Sequence, residues 1–182
     1  MRTLKMEIRR SVLERLKKQK PKTRIRKSCE IEKKLFRRKE FREAETVMFY
    51  VSLPEEVNTR RMIRHALRLG KRVALPRLKG GCLVPVVIRD MVKDLAPGRY
   101  GILEPKRGKR SIALRRIDLV VVPGVAFDAR HNRLGRGVGY YDRFLKRLKR
   151  RIPVIGLAYQ VQRVLALPKS SQDIPVSILI AA

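Results

Sequence analysis

The chain has 182 residues, the length of a single domain, and at 44% hydrophobic it has enough apolar content to fill a core. Its 46 Lys and Arg stand against 16 Asp and Glu, a net charge of +30. Nucleic acid, anionic membrane surfaces and phosphorylated small molecules are therefore all attracted, and charge alone does not choose among them. With two cysteines, no C-x-x-C pair, no signal-like N-terminus and no apolar run of membrane-spanning length, a reducing cytoplasm is the expected setting and no membrane partner is expected.

In chain order, residues 3–18 place Leu4, Ile8, Val12, Leu13 and Leu16 on one stripe of an amphipathic helix, and Pro21 breaks it. A second helix is predicted from Thr23, as its N-cap, to about Arg42, with Ile25, Cys29, Glu32 and Phe36 on one stripe and Ile31 and Leu35 beside it. Residues 47–51 are five apolar or aromatic side chains in succession, the pattern of a strand covered on both faces. After a loop at 52–58, Thr59 is expected to cap a helix carrying Met62, Ile63, Ala66, Leu67 and Leu69, which Gly70 ends. Residues 72–75 return as a strand and complete a β-α-β unit.

Beyond the Gly80-Gly81 turn, 83–88 reads as a strand interrupted or displaced at Pro85, 97–105 as turn-rich, and 106–110 as a polar connection without a place. Residues 119–122, 154–157 and 176–180 supply three more strands, with a helix over 140–150 and a short one within 160–165. This alternation predicts one α/β domain over residues 1–182. Its mostly parallel sheet is layered by helices on both faces, a three-layer α/β/α arrangement with an N-terminal helical pair.

The stretch 123–142, PGVAFDARHNRLGRGVGYYD, joins a strand to a helix. Gly135, Gly137 and Gly139 remove side chains from alternate positions, which permits positive φ and close approach of a ligand to backbone N–H groups. Arg133 and Arg136 add planar donors suited to phosphate, and Asp142 adds a hard oxygen suited to magnesium. The G-x-G-x-G spacing is neither the dinucleotide fingerprint nor the Walker loop, and glycines alone also fit a plain turn. Two arginines, Tyr140, Tyr141 and an aspartate within ten residues tip the reading toward a nucleotide. Tyr140 and Tyr141 fit either core aromatics or a platform for a planar ring. Asp128 is expected to cap a turn, and His65 and His131 to be surface residues. Lys5 and Arg9, at i and i+4, suit either a polyphosphate clasp or a solvated basic face.

These pieces add up to a resemblance. The chain resembles the 5-formyltetrahydrofolate cyclo-ligase family along nearly its whole length. The match runs through K-x-x-I-R at 5–9, EVNT at 56–59, GKRVALP at 70–76, YGILEP at 100–105, DLVVVPGVAFD at 118–128, RLGRGVGYYD at 133–142 and, more weakly, QDIPV at 172–176. The resemblance implies ATP-dependent, magnesium-assisted closure of 5-formyltetrahydrofolate to 5,10-methenyltetrahydrofolate, with release of ADP and phosphate. It implies ATP contacts at Lys5, Arg9, Arg133, Leu134, Gly135, Arg136, Gly137, Val138, Gly139, Tyr140 and Tyr141. Substrate contacts would be Val51, Glu56, Arg136, Gly137, Val138, Gly139 and Tyr140, with Arg136 and Tyr140 at the reacting groups and Asp142 and Asp173 as magnesium ligands. ATP and the formylated folate are the expected partners of a monomer; no specific nucleic acid is expected, although the charge permits non-specific binding. The chain departs from the family pattern at Asn58, Val138, Gln172, Ser177 and its last residues. The alternative is a basic nucleic-acid-binding protein, or a catalytically weak relative, on the same fold.

Overall fold

The computed structural model describes residues 1–98, 101–148 and 152–182. Pro21 begins a helix where the sequence suggested only a break: α1 spans Arg2–Lys17 and α2 spans Pro21–Arg37. Lys20, in extended geometry, is the N-cap in place of Thr23, and Pro21 occupies a first-turn position where its missing N–H is not needed. The helix ends short of Arg42 because Arg38 is extended (φ −66°, ψ 138°); a separate α3 follows at Lys39–Glu43. The buried stripe of α2 is Ser28, Ile31, Glu32 and Leu35, which leaves Ile25 61% exposed.

The first strand, β1 (Thr46–Met48), is shorter than its apolar run, although Phe49, Tyr50 and Val51 stay buried and the Phe49 N–H still donates to the Ala74 carbonyl. Helix α4 (Thr59–Arg68) takes its cap from Asn58, whose side chain accepts from the Arg60 N–H. Thr59, expected in that role, is buried and donates its hydroxyl to the Tyr50 carbonyl at 2.6 Å. Gly70 closes the helix at φ +74°. Strands β2 (Arg72–Lys79) and β3 (Cys82–Ile88) form an uninterrupted antiparallel ribbon in which Pro85 sits opposite Pro76. A small antiparallel pair, β4 (Leu95–Pro97) and β5 (Leu103–Pro105), occupies the turn-rich stretch. Tyr100, part of the YGILEP match, lies outside the described residues.

The chain then enters β6 (Leu119–Val122), a short antiparallel pair β7 (Ala126–Phe127) and β8 (Arg133–Leu134), and α5 (Tyr140–Lys146). The expected continuation of α5 as far as Arg150 stops at Arg147, its C-cap, and residues 149–151 lie outside the described residues. Strand β9 (Val154–Ala158), a single 3-10 turn at Gln160–Gln162 and β10 (Ile178–Ala181) complete the fold. Val176 and Ser177 precede β10 instead of opening it.

Among the described residues the main sheet has six strands in the order β10-β9-β6-β1-β2-β3, parallel except for β3. Side chains alternate across it with the period of a pleated strand. Val47, Val73, Leu119, Val121, Ile155 and Leu157 pack in the core that contains residues of α1, α2 and α4. Met48, Ala74, Val120, Val122, Val154 and Ala158 pack in a second core with Phe144 and Leu145 of α5. The sheet is therefore the middle of three layers, as the sequence pattern implied. No helix among the described residues is long and apolar enough to cross a membrane.

Two details make this frame testable. Phe127 is fully buried where Gly124 and Gly156 leave room for its ring; a Cβ at Gly156 would stand 2.7 Å from Phe127 Cε1 and one at Gly124 2.5 Å from Cζ. Gly156→Ala should therefore lower stability by about 1–3 kcal/mol through overpacking, read as a shifted urea midpoint with an unchanged slope. The second detail is Asp94, which accepts from the Arg89 and Asp90 N–H groups and pairs with Lys109, bracing the chain on either side of β4–β5. The Lys109 hydrogen bond, with help from those amides, holds the Asp94 carboxyl down at about 2 against the opposing effect of burial. A carboxyl with a depressed folded pKa contributes stability above its unfolded value, about 3.9, and loses it as pH falls through the folded value. Asp94→Asn should thus lower the melting temperature at pH 7, with the gap to wild type closing between about pH 4 and pH 2.

Candidate active site

Chain direction locates the site. From β1 the chain moves outward to β2 and β3, and later from β6 outward to β9 and β10, so the order reverses between β1 and β6. Open α/β sheets bind ligands in the crevice beyond the carboxyl ends of strands at such a point. A cavity of about 560 Å³ lies there, lined by Tyr50 and Val51 after β1, by Pro123, Gly124 and Val125 after β6, and by the glycine loop and the start of α5. Its far wall is the outer half of the β2–β3 ribbon with β5: Pro76, Leu78, Leu83, Ile102, Leu103 and Glu104. Apart from Glu104 the cavity is apolar on that side, and it is charged on the other.

Of the residues singled out from sequence, Val51, Glu56, Arg133, Gly135, Arg136, Val138, Gly139, Tyr140, Tyr141 and Asp142 line this cavity. Arg136 reaches across it, with Nη2 2.7 Å from Glu55 and Nε 3.4 Å from Glu56. Burial is the largest influence on Glu56 and lifts its carboxyl above the usual range, although the Leu53 N–H and Arg136 act against that lift. Burial also works against the charged form of Glu55, but its hydrogen bond from Arg136 wins and the carboxyl titrates low. Tyr140 carries the Arg143 guanidinium over its ring at 5.2 Å. Tyr141 has its hydroxyl pushed up by burial and by Glu56, so it stays a neutral donor.

Lys5, Arg9, Gly137 and Asp173 are not part of that cavity; they meet on the α1 side of the same loop. Arg9 Nε donates to the Gly135 carbonyl at 2.8 Å, and a Cβ on Gly137 would lie 3.7 Å from Arg9 Cζ. Lys5 Nζ is 2.5 Å from Asp173 Oδ2, which also accepts from the Ser170 N–H and hydroxyl. Burial lowers the Arg9 pKa while the Asp173 charge opposes it. Gly137 and Gly139 adopt φ of +111° and +73°, conformations L side chains resist, whereas Gly135 does not. Leu134 contributes backbone: its side chain is buried in the core with residues of the N-terminal helices, and its carbonyl accepts from the Val125 N–H at 2.7 Å.

The resemblance implies a phosphate contact at Arg133, and in the structure its guanidinium is engaged with the protein at the cavity wall. Its side chain is only 2% exposed, with Nη2 2.7 Å from Asp142 Oδ1, Nη1 on the Pro123 carbonyl and the guanidinium 5.8 Å from the Tyr141 ring centroid. Asp142 Oδ1 also accepts from the Ile174 N–H at 3.2 Å. Asp128 caps its turn as expected, accepting from the N–H groups of Arg130, Asn132 and Leu167. His65 is half-exposed against Glu32, and no group of three potential metal ligands exists among the described residues. Asp142 and Asp173 fit a magnesium ion that arrives with a polyphosphate. Each engages one carboxylate oxygen, leaving Asp142 Oδ2 and Asp173 Oδ1 without partners among the described residues, and magnesium commonly takes one or two carboxylates plus phosphate oxygens.

The sequence reading missed Glu55, Leu53, Leu78, Leu83 and Glu104. Pro76, Ile102, Leu103 and Glu104 belong to GKRVALP and YGILEP, so the signal was present in those matches without a direction attached. Removing the Arg133 cation alone would strand Asp142, so Arg133→Met should cost about 3 kcal/mol in urea denaturation. Arg133→Met combined with Asp142→Leu should recover a large part of that loss.

Residues 2–182 match the profile of the 5-formyltetrahydrofolate cyclo-ligase family. The chain is 35% identical over 142 residues to the 5-formyltetrahydrofolate cyclo-ligase of Haemophilus influenzae, covering 75% of each chain. It is 36% identical over 138 residues to that of Escherichia coli K12, covering 73% of this chain and 75% of the other. The NMR structure of Aquifex aeolicus 5,10-methenyltetrahydrofolate synthetase superposes with a TM-score of 0.87 at 34% identity, over 98% of this chain and 89% of that one. The Mycoplasma pneumoniae synthetase, at 21% identity and a TM-score of 0.78 over 97% of both chains, shares the fold. A switch-point cavity walled by the glycine loop, on a fold shared with these relatives, makes the chain an enzyme of the 5-formyltetrahydrofolate cyclo-ligase family.

Proposed function

We propose that the protein closes 5-formyltetrahydrofolate to 5,10-methenyltetrahydrofolate at the expense of ATP. The observation that carries the reading is the two-sided glycine loop. An apolar-walled cavity lies on one side of it and the Lys5–Arg9 pair on the other, so a planar folate and a polyphosphate can meet across one thin stretch of backbone. Transfer requires the γ-phosphoryl group to reach past the loop's edge into contact with the formyl oxygen, and its barrier is lowered mainly by positioning and charge neutralisation.

In the proposed sequence the formyl oxygen attacks the γ-phosphorus and ADP leaves. The N10 lone pair then attacks the activated formyl carbon, N10 gives up its proton, and phosphate departs with the former formyl oxygen. Arg136 is an accessible cation of the cavity, 43% exposed and paired with two carboxylates, and it supplies charge to the phosphoryl oxygens. Glu56 accepts from the pterin N–H groups, Val51 and Tyr140 pack on the ring, and Lys5 and Arg9 hold the nucleotide. Asp142 and Asp173 are the residues to hold a magnesium ion, which when bound neutralises charge on the nucleotide phosphates. With Asp173 engaged by magnesium, Lys5 would be released from that carboxylate to hold phosphate.

The test is spectroscopic detection of methenyltetrahydrofolate formed from the 5-formyl isomer, with ATP and magnesium present or withheld. Product should require both, and its absence at high enzyme concentration would overturn the reading. Arg136→Ala should lower kcat by about 100-fold. Lys5→Ala should raise KM for ATP while leaving calorimetric binding of 5-formyltetrahydrofolate alone unchanged.

A further inference from the structure

The folate and nucleotide sites use few of the cations. Sixteen carboxylates cannot neutralise 46 basic side chains, and the surplus of +30 remains whatever ion pairs form. Helix α4 concentrates that surplus. Its sequence, TRRMIRHALR, contains no acidic residue, and Arg60, Arg64 and Arg68 recur every fourth position on its exposed face. None of the three guanidinium groups forms an ion pair among the described residues.

Helix α2 lies alongside. Arg61 Nε is 2.9 Å from Glu32, Arg61 Nη1 meets Cys29, and the His65 ring lies 4.6 Å from that of Phe36. The contacts at 29, 32 and 36 leave Lys33 and Arg37 exposed next to α4, again without an ion pair among the described residues. Helix stability does not explain this arrangement. Like charges at i and i+4 repel, and an arginine in the first turn opposes the helix dipole. A merely solvated face is normally interleaved with acidic residues; here α4 has none, and the two acids of α2 are already taken, Glu32 by Arg61 and His65 and Glu30 by Arg26.

We propose that the joint outer face of α4 and α2 binds the phosphate backbone of a nucleic-acid duplex without reading its sequence. Arginines four apart on a helix stand about 5–6 Å from one another, a spacing suited to successive phosphates, and the guanidinium fork matches phosphate oxygens. Among the described residues the face carries no exposed aromatic platform of the kind that holds single strands. Nor does it have a continuous apolar ridge for insertion into a bilayer; its large exposed hydrophobic side chains among the described residues, Leu69 at the end of α4 and Ile25 near the start of α2, stand apart.

The experiment uses the full chain, a short duplex RNA and the same sequence as duplex DNA, with binding followed by fluorescence anisotropy across a salt series. The variant Lys33→Glu, Arg37→Glu, Arg64→Glu, Arg68→Glu is compared with an equal charge change elsewhere, Arg15→Glu, Lys17→Glu, Arg115→Glu, Arg130→Glu. The first set should weaken duplex binding at least about tenfold more than the second and flatten the slope of log affinity against log salt by roughly 3. Comparison of the RNA and DNA arms then identifies the natural duplex. Unchanged thermal melting and ligand binding by the variant show that the loss is not unfolding. Equal weakening by both sets would mean diffuse charge and overturn the proposal, as would binding to phosphatidylserine vesicles but not to either duplex.

Discussion

Everything at the functional end of this molecule hangs on the pairing of Arg133 with Asp142. Arg133 leaves β8 and crosses under the glycine loop; Asp142 descends from the first turn of α5. Their contact fixes where the loop must pass, because the eight residues between them begin and end on a largely buried ion pair. The same carboxylate draws in the Ile174 N–H, and the same guanidinium holds the Pro123 carbonyl at the end of β6. Four separate segments are thus indexed to one another by two side chains. Breaking a buried pair on one side only is costly, so both partners must stay together or be replaced together.

This explains why the fold was more legible in the sequence than the site. Apolar runs such as Leu119 to Val122 and the closing glycine at Gly70 carry local information, and the expected elements formed there with small shifts in their ends. Local signals failed where two residue types competed for one role. Asn58 displaced Thr59 as a cap because Thr59 was drawn inward to the Tyr50 carbonyl, and Pro21 opened a helix that it had been expected only to interrupt. At the site, Arg133 and Arg136 look equivalent in sequence, three residues apart beside the same glycines. One is buried against Asp142 and the other spans an open cavity to Glu55 and Glu56, a distinction made by tertiary neighbours alone. The apolar wall from the β2–β3 ribbon was unreadable for a related reason. Leu78 and Leu83 are ordinary strand residues until the ribbon is seen to outrun the sheet.

Charge is handled differently in the two halves of the site. On the cavity side, Arg136 is balanced by carboxylates before any ligand arrives, and on the α1 side Lys5 is balanced by Asp173. Ligand binding there exchanges one set of ion pairs for another, which limits the net desolvation a nucleotide must overcome. Arg60, Arg64 and Arg68 of α4 and Lys33 and Arg37 of α2 have no such compensation among the described residues. Long-range attraction and local recognition are therefore carried by separate populations of basic residues, one screened by salt and the other sheltered from it.

The tip of the β2–β3 ribbon is also tied to the site, since Arg143 Nη2 donates to the Gly81 carbonyl at 3.3 Å while Nη1 donates to the Val138 carbonyl of the glycine loop at 2.8 Å. One guanidinium therefore fastens both rims of the cavity mouth and turns an open cleft into a hoop of chain. The fastening is exposed, and hydrogen bonds of this kind contribute only about 1 kcal/mol each. The hoop is latched, not welded. The mouth that a reduced folate would pass is thus closed at Arg143 by hydrogen bonds to two backbone carbonyls, with no ion pair among the described residues.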